Sequence, residues 1–281
     1  MKRGVLFYVK MICLSIFAVS TIFPFCWVLL SSFKSTTEIY GNSFALPEVW
    51  QFENYVTAWK GAGMSYSFLN SFIYTVVSVA LVLIITSMVS YVIARNRHGR
   101  YLYLFFSFGL MVPIHSVIIP LNVLMNRMNL IGTRLSLIIV FVVLNSSLSI
   151  FIITAFMKQI PMEFEEAATI DGCSKLQMFL RIVLPMCRSA LATAGTLAFI
   201  NCWNDLLLSM IFVSKSEWNT LNYSIFMLKA QFIANYGAIT AGLVMSILPV
   251  FCVYILFQEQ IVKGFLSGAI KGERFRNQER A

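Results

Sequence analysis

The side chains able to do chemistry in this sequence gather in two places, and the denser one runs from Pro161 to Pro185. Glu163, Glu165, Glu166 and Asp171 stand there beside Lys175 and Arg181, with Met162, Phe164, Ala168, Leu176, Phe179 and Leu180 supplying apolar surface. Carboxylates mixed with bases and apolar groups belong in water or against a wet partner, where charge sets register and apolar area holds contact. The stretch reads as a docking surface. Taken alone, the residues also allow a solvated helical connector.

The second place is sparser and lies inside apolar runs. Asn201, Trp203, Asn204 and Asp205 interrupt the run from Cys187 to Val213, and Asn145, Ser146 and Ser147 interrupt the run from Leu135 to Met157. A carboxylate in a spanning helix costs at least about 2.5 to 3.5 kcal/mol at the centre, so Asp205 is expected to face a polar interior or lie near an interface. Amides beside an indole suit a sugar, whose hydroxyls want amide partners and whose apolar ring face wants an aromatic plate. Asn145, Asn201, Trp203, Asn204 and Asp205 are therefore the candidate substrate pathway.

Other chemistries lack their residues. No Gly-x-x-x-x-Gly-Lys-Ser/Thr loop is present to cradle ATP phosphates, nor a nucleophile elbow, a zinc-protease helix or a spaced carboxylate pair in a polar domain. Cys13, Cys26, Cys173, Cys187, Cys202 and Cys252 are scattered without a Cys-x-x-Cys pair, and His98 and His115 have no ligand spacing. The expectation is no catalytic residue, no metal and no cofactor, so the chain is no enzyme by itself.

The elements that must position these residues are membrane spans. Of 281 residues, 59% are hydrophobic and only 12% charged, against roughly 25% charged in soluble domains. At about 20 apolar residues per crossing, the spans fall at 11–30, 69–94, 101–124, 135–157, 187–213 and 241–262. The first run is too long for the core of a cleaved signal and lacks a small-x-small site, so it reads as a retained span. The net charge of +9 does not form a nucleic-acid stripe. Lys2, Arg3 and Lys10, then Arg95, Arg97 and Arg100, then Lys158, Lys175, Arg181 and Arg188, then Lys263, Lys271, Arg274, Arg276 and Arg280 share one side. That side is expected to be the cytoplasm, with both termini on it.

Local signals shape the polar loop, 158–186. Pro161 suits a first helical position, and the three glutamates place negative charge at the positive end of the helix dipole. Gly172 can take the left-handed conformation that ends this helix, and Ser174 with Gln177 has the capping-box spacing that starts another. Pro113 and Pro120 are expected to kink or interrupt the third span, which then lines the bundle interior. Pro47, Trp50, Tyr55, Trp59 and Gly61 suit an ordered interfacial loop after the first span. Gly264 and Gly268 are four apart, a weak dimer motif beyond the apolar core, and the polar end from Glu273 is expected to fray.

Glu166-Ala167-Ala168, Gly172, Ile182 and Leu184-Pro185 together resemble the EAA loop of the membrane subunits of ABC importers. Phe23-Pro24-Phe25, Ser32-Phe33-Lys34, Leu46-Pro47, Glu53-Asn54-Tyr55, Trp203-Asn204 and the ending Gly268-Ala269-Ile270-Lys271-Gly272 extend the resemblance to the maltose-type sugar permeases over nearly the whole chain. The resemblance implies an all-α membrane protein: one permease domain over 1–281, six transmembrane helices and a cytoplasmic coupling helix that sits in a cleft of the ATPase. Glu166, Ala167, Ala168, Asp171, Gly172, Ile182, Leu184 and Pro185 then carry ATPase coupling. It further implies a second, related permease chain, ABC ATPase subunits, an extracytoplasmic sugar-binding protein and a sugar substrate, in the inner membrane of a bacterial-type cell. An ABC permease for another solute shares the EAA motif and stays open. An ion-coupled carrier would show inverted repeats and acid or base relays, and a purely structural subunit would not need the loop.

Overall fold

A computed structural model describes residues 4–231 and 235–278, and among those residues the chain is helical, without a strand. In chain order the helices are α1 (Val5–Ser31), α2 (Thr36–Gly41), α3 (Glu53–Lys60), α4 (Met64–Arg95), α5 (Gly99–Gly109), α6 (Ile114–Arg127) and α7 (Arg134–Met157). They continue with α8 (Glu163–Ile170), α9 (Lys175–Met178), α10 (Leu184–Met186), α11 (Arg188–Trp203), α12 (Leu207–Phe212), α13 (Leu221–Gln231) and α14 (Tyr236–Gln278).

Four of these are long and apolar enough to cross a membrane: Phe7–Ser31, Met64–Arg95, Arg134–Met157 and Tyr236–Ile261. The count rises to six if two bent pairs each make one crossing. The first pair, α5 and α6, bends by 97°, and the second, Lys175–Met186 with α11, bends by 76°. The third span thus breaks outright. Pro113 is extended at φ −69° and ψ 133° and opens α6, because it has no N–H to give back and the residue before it is pushed out of the helical region. Pro24, Pro120 and Pro249 are held inside α1, α6 and α14.

One other expectation needs correction. The fifth apolar run is not one helix: α11 stops at Trp203 and α12 restarts at Leu207. The last helix, α14, runs to Gln278. Lys2, Arg3 and Arg280 lie outside the described residues, as do the side chains from 262 onward, Lys263, Lys271, Arg274 and Arg276 among them.

The chain divides into two compact units. One comprises Met1–Phe68 with Leu221–Pro249. Its loop after α1 is built on Lys34, 1% exposed, whose Nζ donates to the carbonyls of Asn42 at 3.2 Å and Ser43 at 3.0 Å. Asn54 Nδ2 donates to the carbonyls of Ser32 and Lys34, both at 2.9 Å, and tethers α3 to the same turn. A capping box of Ser35 and Glu38 starts α2, and the Ser35 N–H foremost holds the Glu38 carboxyl below its ordinary range. Phe33 gathers Trp50, Phe52 and Tyr55 around its ring, which orders the aromatic loop. The 0% burial of the apolar window of α1 within the chain means that lipid or another helix must cover it.

The other unit, Leu69–Thr220 with Val250–Ala281, holds the polar sites. Tyr74, Met125, Leu137, Val140, Phe141, Cys202, Leu208 and Phe212 form one core around α7, and Ile153, Met157, Phe179, Val183, Cys187 and Ala194 a second towards α9. Along α4, Ser71, Thr75, Ser78, Thr86 and Ser90 are buried at helical spacing. Such small side chains allow close helix approach in lipid, where burial of apolar area gives no drive. Asn70 Nδ2 and Tyr74 Oη reach the carbonyls of Glu217 at 2.8 Å and Trp218 at 3.0 Å, fixing the return segment after α12.

Candidate functional site

The polar loop folds as the bent pair its residues suggest, with one shift. α8 begins at Glu163 rather than Pro161, its first turn closed by Glu165 and Glu166 N–H groups on the Met162 carbonyl. Gly172 sits at φ +79°, and the Cys173 and Gly172 N–H groups return to the carbonyls of Ala168 and Thr169, a Schellman closure. Ser174 and Gln177 form the capping box that starts α9. A π-turn over Phe179–Val183 follows before α10. Pro185 lacks the N–H that the Arg181 carbonyl would take in an α-helix and its ring crowds that carbonyl, so the widened turn just ahead relieves both.

Burial sorts the side chains of this pair. Glu165 and Ala168, three apart on α8, face inward at 7% and 5% exposure, while Glu166, Ala167, Asp171 and Gly172 are exposed. Ile182 and Leu184 are half-buried and Pro185 is exposed. Of the residues assigned to coupling, Glu166, Ala167, Asp171, Gly172 and Pro185 are thus presented outward, whereas Ala168 is core. One partner set was not anticipated. Glu165 Oε1 accepts from Arg95 Nε at 2.5 Å, and Oε2 accepts from Tyr91 Oη at 2.9 Å. The i, i+4 spacing of Tyr91 and Arg95 at the end of a span was the available signal, since it puts both on one face.

The second polar set lines a cavity of about 470 Å³. Two helix interruptions build it: Gly109, Leu110, Val112 and Ile114 come from the break between α5 and α6, and Asn204, Asp205 and Leu208 from the break between α11 and α12. Asn145 and Ser147 of α7 and Asn201 of α11 complete the polar wall, with Leu144 of α7 beside them. Irregular backbone at membrane depth is tolerated where it lines such a space. Asn201 Nδ2 donates to Asn145 Oδ1 at 3.1 Å, and Asn145 Nδ2 donates to the Phe141 carbonyl at 2.8 Å. Asn145 therefore ties α7 to α11 as well as facing the cavity.

Trp203 is not brought there. It is 1% exposed and stacks on Phe199 at an interplanar angle of 7°, so its ring is spent on core packing. Asp205 is brought to the wall but is engaged: Oδ1 accepts from the Leu208 N–H at 3.2 Å and Oδ2 from the Ser209 N–H at 2.9 Å. It caps the restarted helix, which explains a carboxylate in an apolar run. Asp205→Ala should cost about 0.5 to 2 kcal/mol and Asp205→Asn less, because the amide keeps one acceptor. The thermal midpoint of detergent-solubilised protein checks this, and equal midpoints for Asp205→Ala and unaltered protein would remove the capping role. Among the described residues no group of three His, Cys, Asp or Glu side chains could hold a metal.

Comparisons with known proteins give the family and the fold. The family described as binding-protein-dependent transport system inner membrane component matches residues 94–263. The diacetylchitobiose uptake system permease protein NgcG of Streptomyces coelicolor is 34% identical over 92% of this chain and 87% of its own. The sulfoquinovosyl glycerol transport system permease protein SmoH of Agrobacterium fabrum is 31% identical over 94% of this chain and 93% of its own. Among solved structures, a chain of a bacterial ABC transporter involved in the import of the acidic polysaccharide alginate superimposes with a TM-score of 0.79 at 25% identity, covering 91% of this chain and 96% of that one. With bent spans and this match over more than half its length, the chain belongs to the binding-protein-dependent transport system inner membrane components.

Proposed function

We propose that the chain is one permease subunit of an ATP-driven importer for a sugar or oligosaccharide, forming half of the pathway. It works with a second, related permease chain, ABC ATPase subunits and an extracytoplasmic sugar-binding protein. The observation that carries the reading is a single unit holding both an outward-presented Glu166 on a short helix and an amide-lined cavity between broken helices. Glu166, Ala167, Asp171, Gly172 and Pro185 meet the ATPase, with Ala168, Ile182 and Leu184 packing behind them. Closure of the ATPase dimer displaces this surface and alternately opens the cavity to either side. Asn145, Asn201 and Asn204 offer amides to sugar hydroxyls, and energy comes from the partner because this chain lacks a phosphate loop. The substrates named for these relatives, diacetylchitobiose and sulfoquinovosyl glycerol, support a saccharide.

Reconstitution with its ATPase and binding protein should give ATP-dependent uptake of a radiolabelled saccharide from a panel that includes amino acids and peptides. Uptake of an amino acid or peptide instead would overturn the sugar assignment, and uptake without ATP the whole reading.

Orientation follows from the basic loops, with both termini and α8 in the cytoplasm and the segment around Ser216 outside. In a background without native cysteines, Ser216→Cys should react with a membrane-impermeant thiol reagent applied to intact cells and Thr169→Cys should not. Both positions are exposed in this chain, so burial within it does not hide either. The opposite pattern reverses the orientation.

A further inference from the structure

Glu165 and Glu166 are neighbours in sequence, and α8 turns the first inward and leaves the second exposed. Each oxygen of Glu165 takes its own donor from α4, Arg95 Nε on one and Tyr91 Oη on the other. The Arg95 and Glu165 side chains are only 13% and 8% exposed, so solvent screens the pair little. Arg95 also donates Nη2 to the Ile160 carbonyl at 3.2 Å, which holds the link between α7 and α8. Tyr91 lays its ring against Phe179 at 5.2 Å, just beyond α9. Two residues one turn apart on α4 thus grip the α7–α8 link, α8 and the segment after α9 together. A two-donor grip on one carboxylate fixes direction as well as distance.

We propose that this grip is the joint that passes displacement of α8 into α4, making Tyr91, Arg95 and Glu165 positioning residues for ATP-coupled opening of the pathway. It rests on the reading that the outer face of α8 docks the ATPase. Apolar packing by Ala168, Met178 and Phe179 holds the loop near the spans but lets it slide, whereas the charged grip makes loop and helix move as one.

The test uses the complete complex in proteoliposomes, in a background without native cysteines, with Asn204→Cys as reporter in the cavity. Its reaction rate with a maleimide is measured without nucleotide and with ATP trapped by vanadate. With unaltered α4 and α8, the two rates should differ by about fivefold or more, the lower end of ordinary site-to-site coupling. In Glu165→Gln, vanadate trapping by the ATPase should stay normal while the ratio falls towards one. Tyr91→Phe, which removes one donor and keeps the ring, should give an intermediate ratio. A full ratio in Glu165→Gln with normal trapping would overturn the joint, as would a ratio of one in the unaltered protein. If Glu165→Gln does not assemble, Tyr91→Phe decides: a reduced ratio supports the joint and a full one overturns it. Glu166→Ala separates the two readings, because normal trapping there counts against docking through the outer face, whatever the Glu165 ratio.

Discussion

Gly172→Asp should strip the ATPase from the permease and reduce uptake at least about tenfold, equivalent to some 1.4 kcal/mol of docking free energy, while the chain remains in the membrane. At φ +79° a side chain incurs about 1 to 2 kcal/mol of backbone strain. No heavy atom lies within 4 Å of a Cβ built there, so crowding within the chain adds nothing. The strain is relieved by losing the Schellman closure, which releases the Cys173 N–H from the Ala168 carbonyl and reorients Ser174 and α9 against α8. Such a change alters the outline of the loop, adds a charge to it and leaves α4, α7 and α11 untouched. Gly172→Asn is the control, since it matches aspartate in size and in tolerance of the left-handed region but carries no charge, so it should retain more of the ATPase. Membrane abundance, ATPase pulldown and uptake on the same preparations check it. Normal pulldown in Gly172→Asp would reduce the loop to a solvated connector.

That glycine was legible in the sequence because its role is local. A Schellman closure and a capping box each span a few residues, so Gly172, Ser174 and Gln177 announce themselves without knowledge of anything distant. The division of labour between Glu165 and Glu166 was not legible. Read as spare acids, Glu163 and Glu165 would soften the loss of Glu166, but Glu165 is turned inward and committed to Arg95, 70 residues away. Only Glu163 remains on the exposed side to compensate, so Glu166→Ala should be harsher than a cluster of three acids implies.

The broken fifth span was hidden for another reason. Averaged hydropathy over 187–213 stays high despite Asn201, Asn204 and Asp205, and a length criterion does not see a break confined to so few polar residues. Asp205, three residues ahead of Leu208, was the visible signal, because a carboxylate at capping distance from an apolar run marks a helix start as readily as a substrate contact. Trp203 misled in the opposite direction. An indole beside two amides suggests a sugar plate, yet α11 turns consecutive residues by about 100°, so neighbours in sequence point apart. The structure gives the amides to the cavity and the ring to Phe199.

The second large effect therefore falls on Asn204, which is exposed, lines the cavity and ends α11. Its backbone N–H closes on the Ile200 carbonyl at 3.0 Å, and a substitution of the side chain leaves that bond in place. Asn204→Trp should project a bulky ring into a space of about 470 Å³ and cut uptake at least about tenfold, with membrane abundance and ATPase pulldown unchanged. Asn204→Ala removes only an amide. If that amide serves a saccharide hydroxyl, the loss is about 0.5 to 1.5 kcal/mol, read as a rise in the apparent KM for uptake of about 2- to 12-fold with little change in maximal rate. The pair of variants separates obstruction from recognition: the ring blocks passage of any solute, whereas the missing amide penalises only a solute that hydrogen-bonds there. Wild-type uptake in Asn204→Trp would mean that the space between the two helix breaks is not on the pathway, and an unchanged KM in Asn204→Ala would mean that passage does not engage this amide.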